Sequence, residues 1–157
     1  MKRIIALIIA ILLLTLSTVP VLASTDSQVI MQGSGRVEAF PPGVGASVTV
    51  YINTTTNIVR MQVSVPGGFS GPDGQQVMGM YTQGEVLDWG IEGNTVNIDI
   101  QGQTFLLPSR EPMGEPGTAQ FIGEFTGPGN RGEISLLVEG PGGPGIAFTI
   151  PGVIVVN

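Results

Sequence analysis

Residues 46–65 read ASVTVYINTTTNIVRMQVSV, and apolar and polar side chains alternate on both sides of a polar bridge. Val48, Val50 and Ile52 would share one face of an extended chain, and a second apolar set of the same spacing begins at Val59. Successive side chains of a β-strand point to opposite faces, so the stretch predicts two strands, each with one buried face. The bridge, residues 53–57, is short enough to join them as a hairpin.

The rest of the chain follows the same pattern. Residues 85–91 and 95–101 flank a turn sequence, EGN, and predict a second hairpin. Further short apolar runs are residues 105–107, 119–125, 134–139, 146–150 and 153–156. Clusters of glycine and proline separate the runs and mark turns. We therefore expect about nine to eleven short strands in an antiparallel β-sandwich or jelly roll, with a β-barrel as the second choice.

The chain ends in GVIVVN, where residues 153–156 are continuously apolar. A continuous run predicts burial on both faces, and Pro151-Gly152 before it predicts a bend. We expect an interior strand of the same molecule rather than a strand donated to a neighbour. The segment at residues 24–36 is polar and interrupted by glycine, which makes it a poorer donor.

Residues 1–23 have the pattern of a secretory signal: Lys2 and Arg3 precede the apolar run 4–14, and small or apolar residues lead to Ala23. We expect a signal helix that is cleaved after Ala23, which leaves residues 24–157 as a single domain. The alternative is an uncleaved anchor, because residues 4–23 are just long enough to span a bilayer. The predicted location is secreted or cell-surface, with membrane contact only through this segment if it is not cleaved.

Charge excludes one large class of partners. After cleavage, four arginines would face twelve acidic residues, a net charge of −8. Four scattered cations cannot neutralise a run of phosphates, so we expect no nucleic-acid binding.

The residue inventory excludes most enzyme chemistry. The chain has no histidine and no cysteine, and its only lysine is Lys2. These absences exclude a Ser-His-Asp triad, a thiolate nucleophile and a Schiff base outside the signal. The enzyme class that these absences leave open is a carboxylate-dependent hydrolase. Its candidate acids are Asp88, Glu92 and Asp99, which lie near each other in the sequence beside Trp89. No motif supports it, so we expect no enzyme, no catalytic residue and no cofactor.

The sequence nevertheless contains candidate residues for two binding sites and one modification site. Asp73, Glu111 and Glu115 lie in predicted loops, where carbonyl oxygens would complete a calcium site. An aromatic platform of Trp89, Tyr81 and Tyr51 would stack on sugars. Asn53 begins an Asn-Thr-Thr acceptor sequence for glycosylation in a predicted turn.

By elimination, the sequence favours a non-catalytic, exported structural or interaction component of the cell surface or the extracellular space. Its partners would be copies of itself, other surface proteins or a glycan. The alternatives are a secreted glycan- or calcium-binding module and, after it, the carboxylate-dependent hydrolase.

Overall fold

A computed structural model describes residues 28–39, 44–71, 73–125, 130–140 and 143–157 of the 157-residue chain. The predicted signal segment and its cleavage site after Ala23 lie outside these residues. The described part is all-β. Its eight strands are β1 (Val29–Ala39), β2 (Val44–Asn53), β3 (Ile58–Ser70), β4 (Gln76–Glu92), β5 (Thr95–Leu107), β6 (Gly117–Phe125), β7 (Arg131–Gly140) and β8 (Gly143–Val156).

The strands form a closed barrel in which each strand pairs antiparallel with the next along the chain. The barrel closes because β8 also pairs with β1, from Val29 opposite Val156 to Gly33 opposite Gly152. The expected sandwich or jelly roll is therefore wrong, and the second choice, a barrel, is the observed architecture. A sandwich would need two separate sheets, whereas here one sheet runs all the way round.

Both predicted hairpins are confirmed. In the first, β2 and β3 pair from Ser47 opposite Ser64 to Asn53 opposite Ile58, around the turn at residues 54–57. In the second, Glu92 lies opposite Thr95 around the turn at residues 93–94. The alternation of side chains and the composition of the turns were sufficient to predict these hairpins, because the paired strands are neighbours in sequence.

The predicted number of strands is too high because glycine and proline lie inside strands as well as between them. Gly102 is part of β5, which runs on through residues 105–107, and Pro151-Gly152 is part of β8. Residues 29–39, which include Gly33 and Gly35, form β1. Glycine within a strand often marks a tight bend at a barrel corner, and its local sequence resembles that of a turn.

The core fills the inside of the barrel. Every second residue along the strands points inward, and the inward set is almost entirely apolar. The largest fully buried side chains include Phe121, Met31, Ile52, Ile98 and Ile134. The outward positions are mostly polar, which gives most of the strands the alternating pattern that was visible in residues 46–65.

The C-terminal strand β8 lies between β7 and β1 of the same chain. Its last residues are not buried on both faces as expected: Ile154 is fully buried, whereas Val153 is 43% exposed. One wall of a closed barrel faces the core and the other faces solvent, so an apolar run must still alternate between the two.

Three glycines allow β7, β8 and β1 to approach one another closely where the barrel closes. Gly33, Gly152 and Gly132 lie side by side across β1, β8 and β7, and we call them the closure row. A Cβ atom on Gly152 would lie 2.5 Å from Cδ1 of Ile134, and one on Gly132 would overlap the carbonyl oxygen of Glu124. The absence of side chains therefore allows the strands to approach and lets isoleucine side chains fill the space.

We expect Gly132→Ala to lower the free energy of unfolding by about 2–3 kcal/mol, because the added methyl group overlaps backbone that cannot move without disturbing the ladder. Urea-induced unfolding followed by Trp89 fluorescence measures the change. The control is Gly45→Ala on β2, where a Cβ meets no atom within 4 Å. Equal destabilisation by both variants would contradict a steric role for Gly132.

Candidate functional site

The three aromatic candidates lie on two different walls of the barrel. Trp89 is half-buried and packs against the core, opposite the buried Ile98. A β-bulge at Leu87 causes this orientation, because Val86 lies opposite Ile100 while Asp88 lies opposite the adjacent Asp99. The extra residue shifts the alternation by one and turns Trp89 inward. Trp89 therefore does not share a platform with the tyrosines.

Tyr81 and Tyr51 both lie on the outer wall. Tyr81 lies between Met80 and the buried Thr82, whose side chains face the core, so its own ring faces out. Tyr51 lies on β2, two strands away, which is about 10 Å across the sheet. Its hydroxyl oxygen accepts a hydrogen bond from Nδ2 of Asn53 at 3.3 Å.

The direct neighbour of Tyr81 is Phe105, which the sequence analysis did not single out. The two residues are opposite each other on β4 and β5, and each is half-buried. Opposed residues in an antiparallel pair have Cβ atoms about 4.5–5.5 Å apart, so the two rings are neighbours. The available signal was the alternation of Gln101, Gln103 and Phe105, which places them all on one face.

Two depressions on the outer wall meet at Phe105. One, of about 560 Å³, is lined by Gln62, Tyr81, Phe105, Leu107 and Arg110. The other, of about 660 Å³, includes Gln83, Gln101, Gln103 and Phe105. Together they follow β5 from Gln101 to Leu107, about 20 Å of strand. We call this surface the amide–aromatic face.

The side chains of this face are well placed for a polar ligand. Gln62 lies opposite Tyr81, and Gln83 lies opposite Gln103. Nε2 of Gln103 donates hydrogen bonds to the carbonyl oxygens of Thr104 and Gly114. Within the described part of the chain, the amides of Gln83 and Gln101 make no side-chain hydrogen bond, so their donors and acceptors face solvent.

The acidic group lies elsewhere on the outer wall. Asp88 and Asp99 are directly opposite each other across β4 and β5, and both are exposed. Oδ1 of Asp88 accepts a hydrogen bond from the Trp89 amide at 2.8 Å, and Oδ1 of Asp99 accepts one from Nε2 of Gln120 at 2.8 Å. Glu92 lies at the end of β4, beside the turn. The structure thus brings two of the three carboxylates together, on an exposed wall.

The calcium candidates occupy two loops at one end of the barrel. Asp73 lies in the loop between β3 and β4, and Glu111 and Glu115 lie in the loop between β5 and β6; all three are exposed. The loops touch where Nε2 of Gln75 donates to Oε2 of Glu111 at 3.3 Å. No group of three acidic side chains suited to a metal ion occurs within the described residues.

Asn53 is built into the first hairpin turn. It is only 7% exposed, and its Oδ1 accepts hydrogen bonds from the amides of Thr55 and Thr56 at 3.0 Å. Its Nδ2, the atom that glycosylation would modify, points to Tyr51. In this arrangement the Asn53 amide closes the turn.

A cavity of about 220 Å³ lies inside the barrel wall, on the core side of β3 to β7. Most of its lining is apolar, including Ile100 and Phe121. Its polar lining residues are Thr82, Thr104, Thr118 and Glu115, and Oγ1 of Thr82 lies 2.9 Å from Oγ1 of Thr104. Thr82 is 6% exposed, and it and Asn53 are the buried polar residues of the described chain.

Comparison with known proteins identifies no relative: no family model, no curated protein and no solved structure matches the chain. Within the described ranges, no helix combines the length and the hydropathy needed to cross a bilayer. The functional argument therefore rests on the geometry of the barrel.

We expect Thr82→Val to lower the free energy of unfolding by about 1–2 kcal/mol, because it removes the hydroxyl partner of Thr104 and leaves that group unpaired. The double variant Thr82→Val/Thr104→Val should regain most of the loss, since it removes both polar groups and keeps their shape. A double-mutant cycle by urea unfolding measures the coupling. Additive losses would contradict a paired role for the two hydroxyls.

We expect Asn53→Ala to lower the free energy of unfolding by about 1–2 kcal/mol, because two turn amides lose their acceptor. Asn53→Asp keeps the acceptor oxygens and should lose less. Thermal or urea unfolding of the two variants compares them, and an Asn53→Ala protein as stable as the wild type would contradict the turn role.

Proposed function

We propose that this chain is an exported, non-catalytic interaction protein that binds a neutral glycan on its amide–aromatic face. The observation that carries the proposal is the Tyr81–Phe105 pair, which lies where two surface depressions bordered by glutamine side chains meet. This surface combines the two kinds of contact that a sugar needs.

The chemistry of sugars fits these side chains. One face of a sugar ring carries mainly C–H groups, which pack on aromatic rings such as those of Tyr81 and Phe105. Sugar hydroxyls both donate and accept hydrogen bonds, and so does the amide of a glutamine. Gln83 and Gln101 have no side-chain partner among the described residues, so a ligand would displace only water from them. The length of the face suits an extended chain of sugars.

Charge favours a neutral glycan. The chain has a net charge of −6, which opposes the approach of acidic polysaccharides. The face carries single charges of both signs: Arg110 lines one depression and Glu85 lines the other. No cluster of cations on this face would compensate for repeated carboxylates or sulfates.

Several observations support a role without catalysis. The chain contains no histidine or cysteine. Asp88 and Asp99 lie on an exposed wall, where each accepts a hydrogen bond from a neighbouring group. A glycosidase instead holds its two carboxylates on either side of a scissile bond within a cleft.

Export is part of the proposal and rests on residues 1–23, whose basic start and apolar run are typical of a secretory signal. A surface role also fits the barrel. Every described strand pairs with two neighbours along part of its length, so no strand in this part offers a full-length free edge for a partner to extend. Partners would therefore be engaged through side chains of the outer wall.

The test is binding to a panel of soluble neutral oligosaccharides of glucose, mannose, xylose and N-acetylglucosamine, measured by isothermal titration calorimetry. We expect Tyr81→Ala and Phe105→Ala each to weaken the best ligand about tenfold, because each removes a stacking ring worth about 1–1.5 kcal/mol. Tyr81→Phe keeps the ring and should bind within about threefold of the wild type.

Two control variants lie off the face. Gln120→Ala removes an outward amide of β6 and is the control for Gln83→Ala, which removes an amide of the face. Leu87→Ala removes an exposed apolar side chain. Both controls should bind as the wild type does. Absence of binding across the panel, or binding that survives both aromatic truncations, would refute the proposal.

A further inference from the structure

The interior cavity is lined in part by two glycines, Gly102 and Gly117, of a second glycine row. Gly84, Gly102 and Gly117 lie side by side across β4, β5 and β6, and all three face the core. A Cβ on Gly84 would overlap the Gln101 carbonyl oxygen, so at this position β4 and β5 approach closely. A Cβ on Gly117 would meet no atom within 4 Å. This row is therefore open at Gly117, whereas every glycine of the closure row is crowded.

The cavity has one polar wall and a mainly apolar remainder, to which Thr118 and Glu115 add polar groups. Thr82 and Thr104 form the polar wall, opposite apolar groups that include Phe121 and Leu136. The hydroxyl that donates within the pair keeps lone pairs, and the hydroxyl that accepts keeps its own hydrogen. The pair therefore offers the cavity one donor and one acceptor together.

The rim is formed by the loop between β5 and β6, which folds back along β5. Phe105 bridges to Pro112, and the Met113 amide donates to the Thr104 carbonyl oxygen at 2.8 Å. This contact places Met113 and Glu115 at the edge of the cavity, where Met113 is 54% exposed. Glu115 is the charged residue of the lining, and its carboxylate would repel an anion.

From this geometry we infer that the cavity is a second binding site, which takes an uncharged, ring-sized molecule with one hydroxyl, such as a simple phenol. The size fits, since an apolar cavity of about 150 Å³ accommodates benzene and this one measures about 220 Å³. A hydroxyl matches the donor and acceptor of the threonine pair, whereas a carbonyl uses only the donor. The cavity opens on the core side of the wall and the glycan face on the outer side, and Gly102 and the loop between β5 and β6 border both.

The experiment titrates the full chain with phenol, toluene and benzoate and follows the methyl groups of Thr82, Thr104 and Ala119 by NMR. We expect saturable binding of phenol, about fivefold weaker binding of toluene, which lacks the hydrogen bonds, and no binding of benzoate. Thr82→Val/Thr104→Val should bind toluene as the wild type does and lose the preference for phenol. This isosteric variant tests the polar wall without changing the shape of the cavity.

Gly117→Leu tests the space itself, because the added side chain projects into the cavity. It should weaken phenol at least tenfold and leave glycan binding unchanged. Gly45→Leu is the matched control, a strand glycine with equally open surroundings away from the cavity. The inference is overturned if neither phenol nor toluene shifts these methyl signals, if Gly117→Leu binds phenol as the wild type does, or if the double valine variant keeps the preference for phenol.

Discussion

Pairing of β1 with β8 is the interaction on which the rest of this structure depends. It joins the two ends of the sheet, so the edge N–H and C=O groups of Val29–Gly33 and Gly152–Val156 find partners in the same molecule. Closing only eight strands requires strong coiling and close approach, and the closure row of Gly33, Gly152 and Gly132 permits both. Core isoleucines then occupy the space that the missing side chains leave.

Glycines at adjacent positions of neighbouring strands have a different effect on the opposite side of the barrel. Gly102 and Gly117 line a cavity together with Ala119, Thr82 and Thr104, whose short side chains leave the space beside Gly117 unfilled. Alternation keeps the two walls chemically separate. The outer wall carries glutamines and the Tyr81–Phe105 pair, while the inner wall carries the core and the Thr82–Thr104 hydroxyls. One set of strands thus supports two unrelated surfaces.

Local features of the fold could be predicted because their partners are close in sequence, as in the hairpins around residues 54–57 and 93–94. The candidate site was predicted only in part. Tyr81 was a candidate stacking residue from the sequence, but the identification of Phe105 as its neighbour depends on the β4–β5 register. Trp89 could not be placed, because the bulge at Leu87 reverses the alternation beyond it. A bulge of this kind leaves no local mark in the sequence.

The sequence by itself determined the all-β character, the two hairpins and the lack of residues for most catalytic chemistry, since these depend on composition and on neighbours a few positions apart. Only the tertiary structure decided that the sheet closes into a barrel, that Gly33 and Gly102 lie within strands, and which aromatic rings share a wall. Those features depend on which distant strands pair and in what register. A glycine in a turn and a glycine in a strongly coiled strand have the same local signature, and only the partner strand distinguishes them.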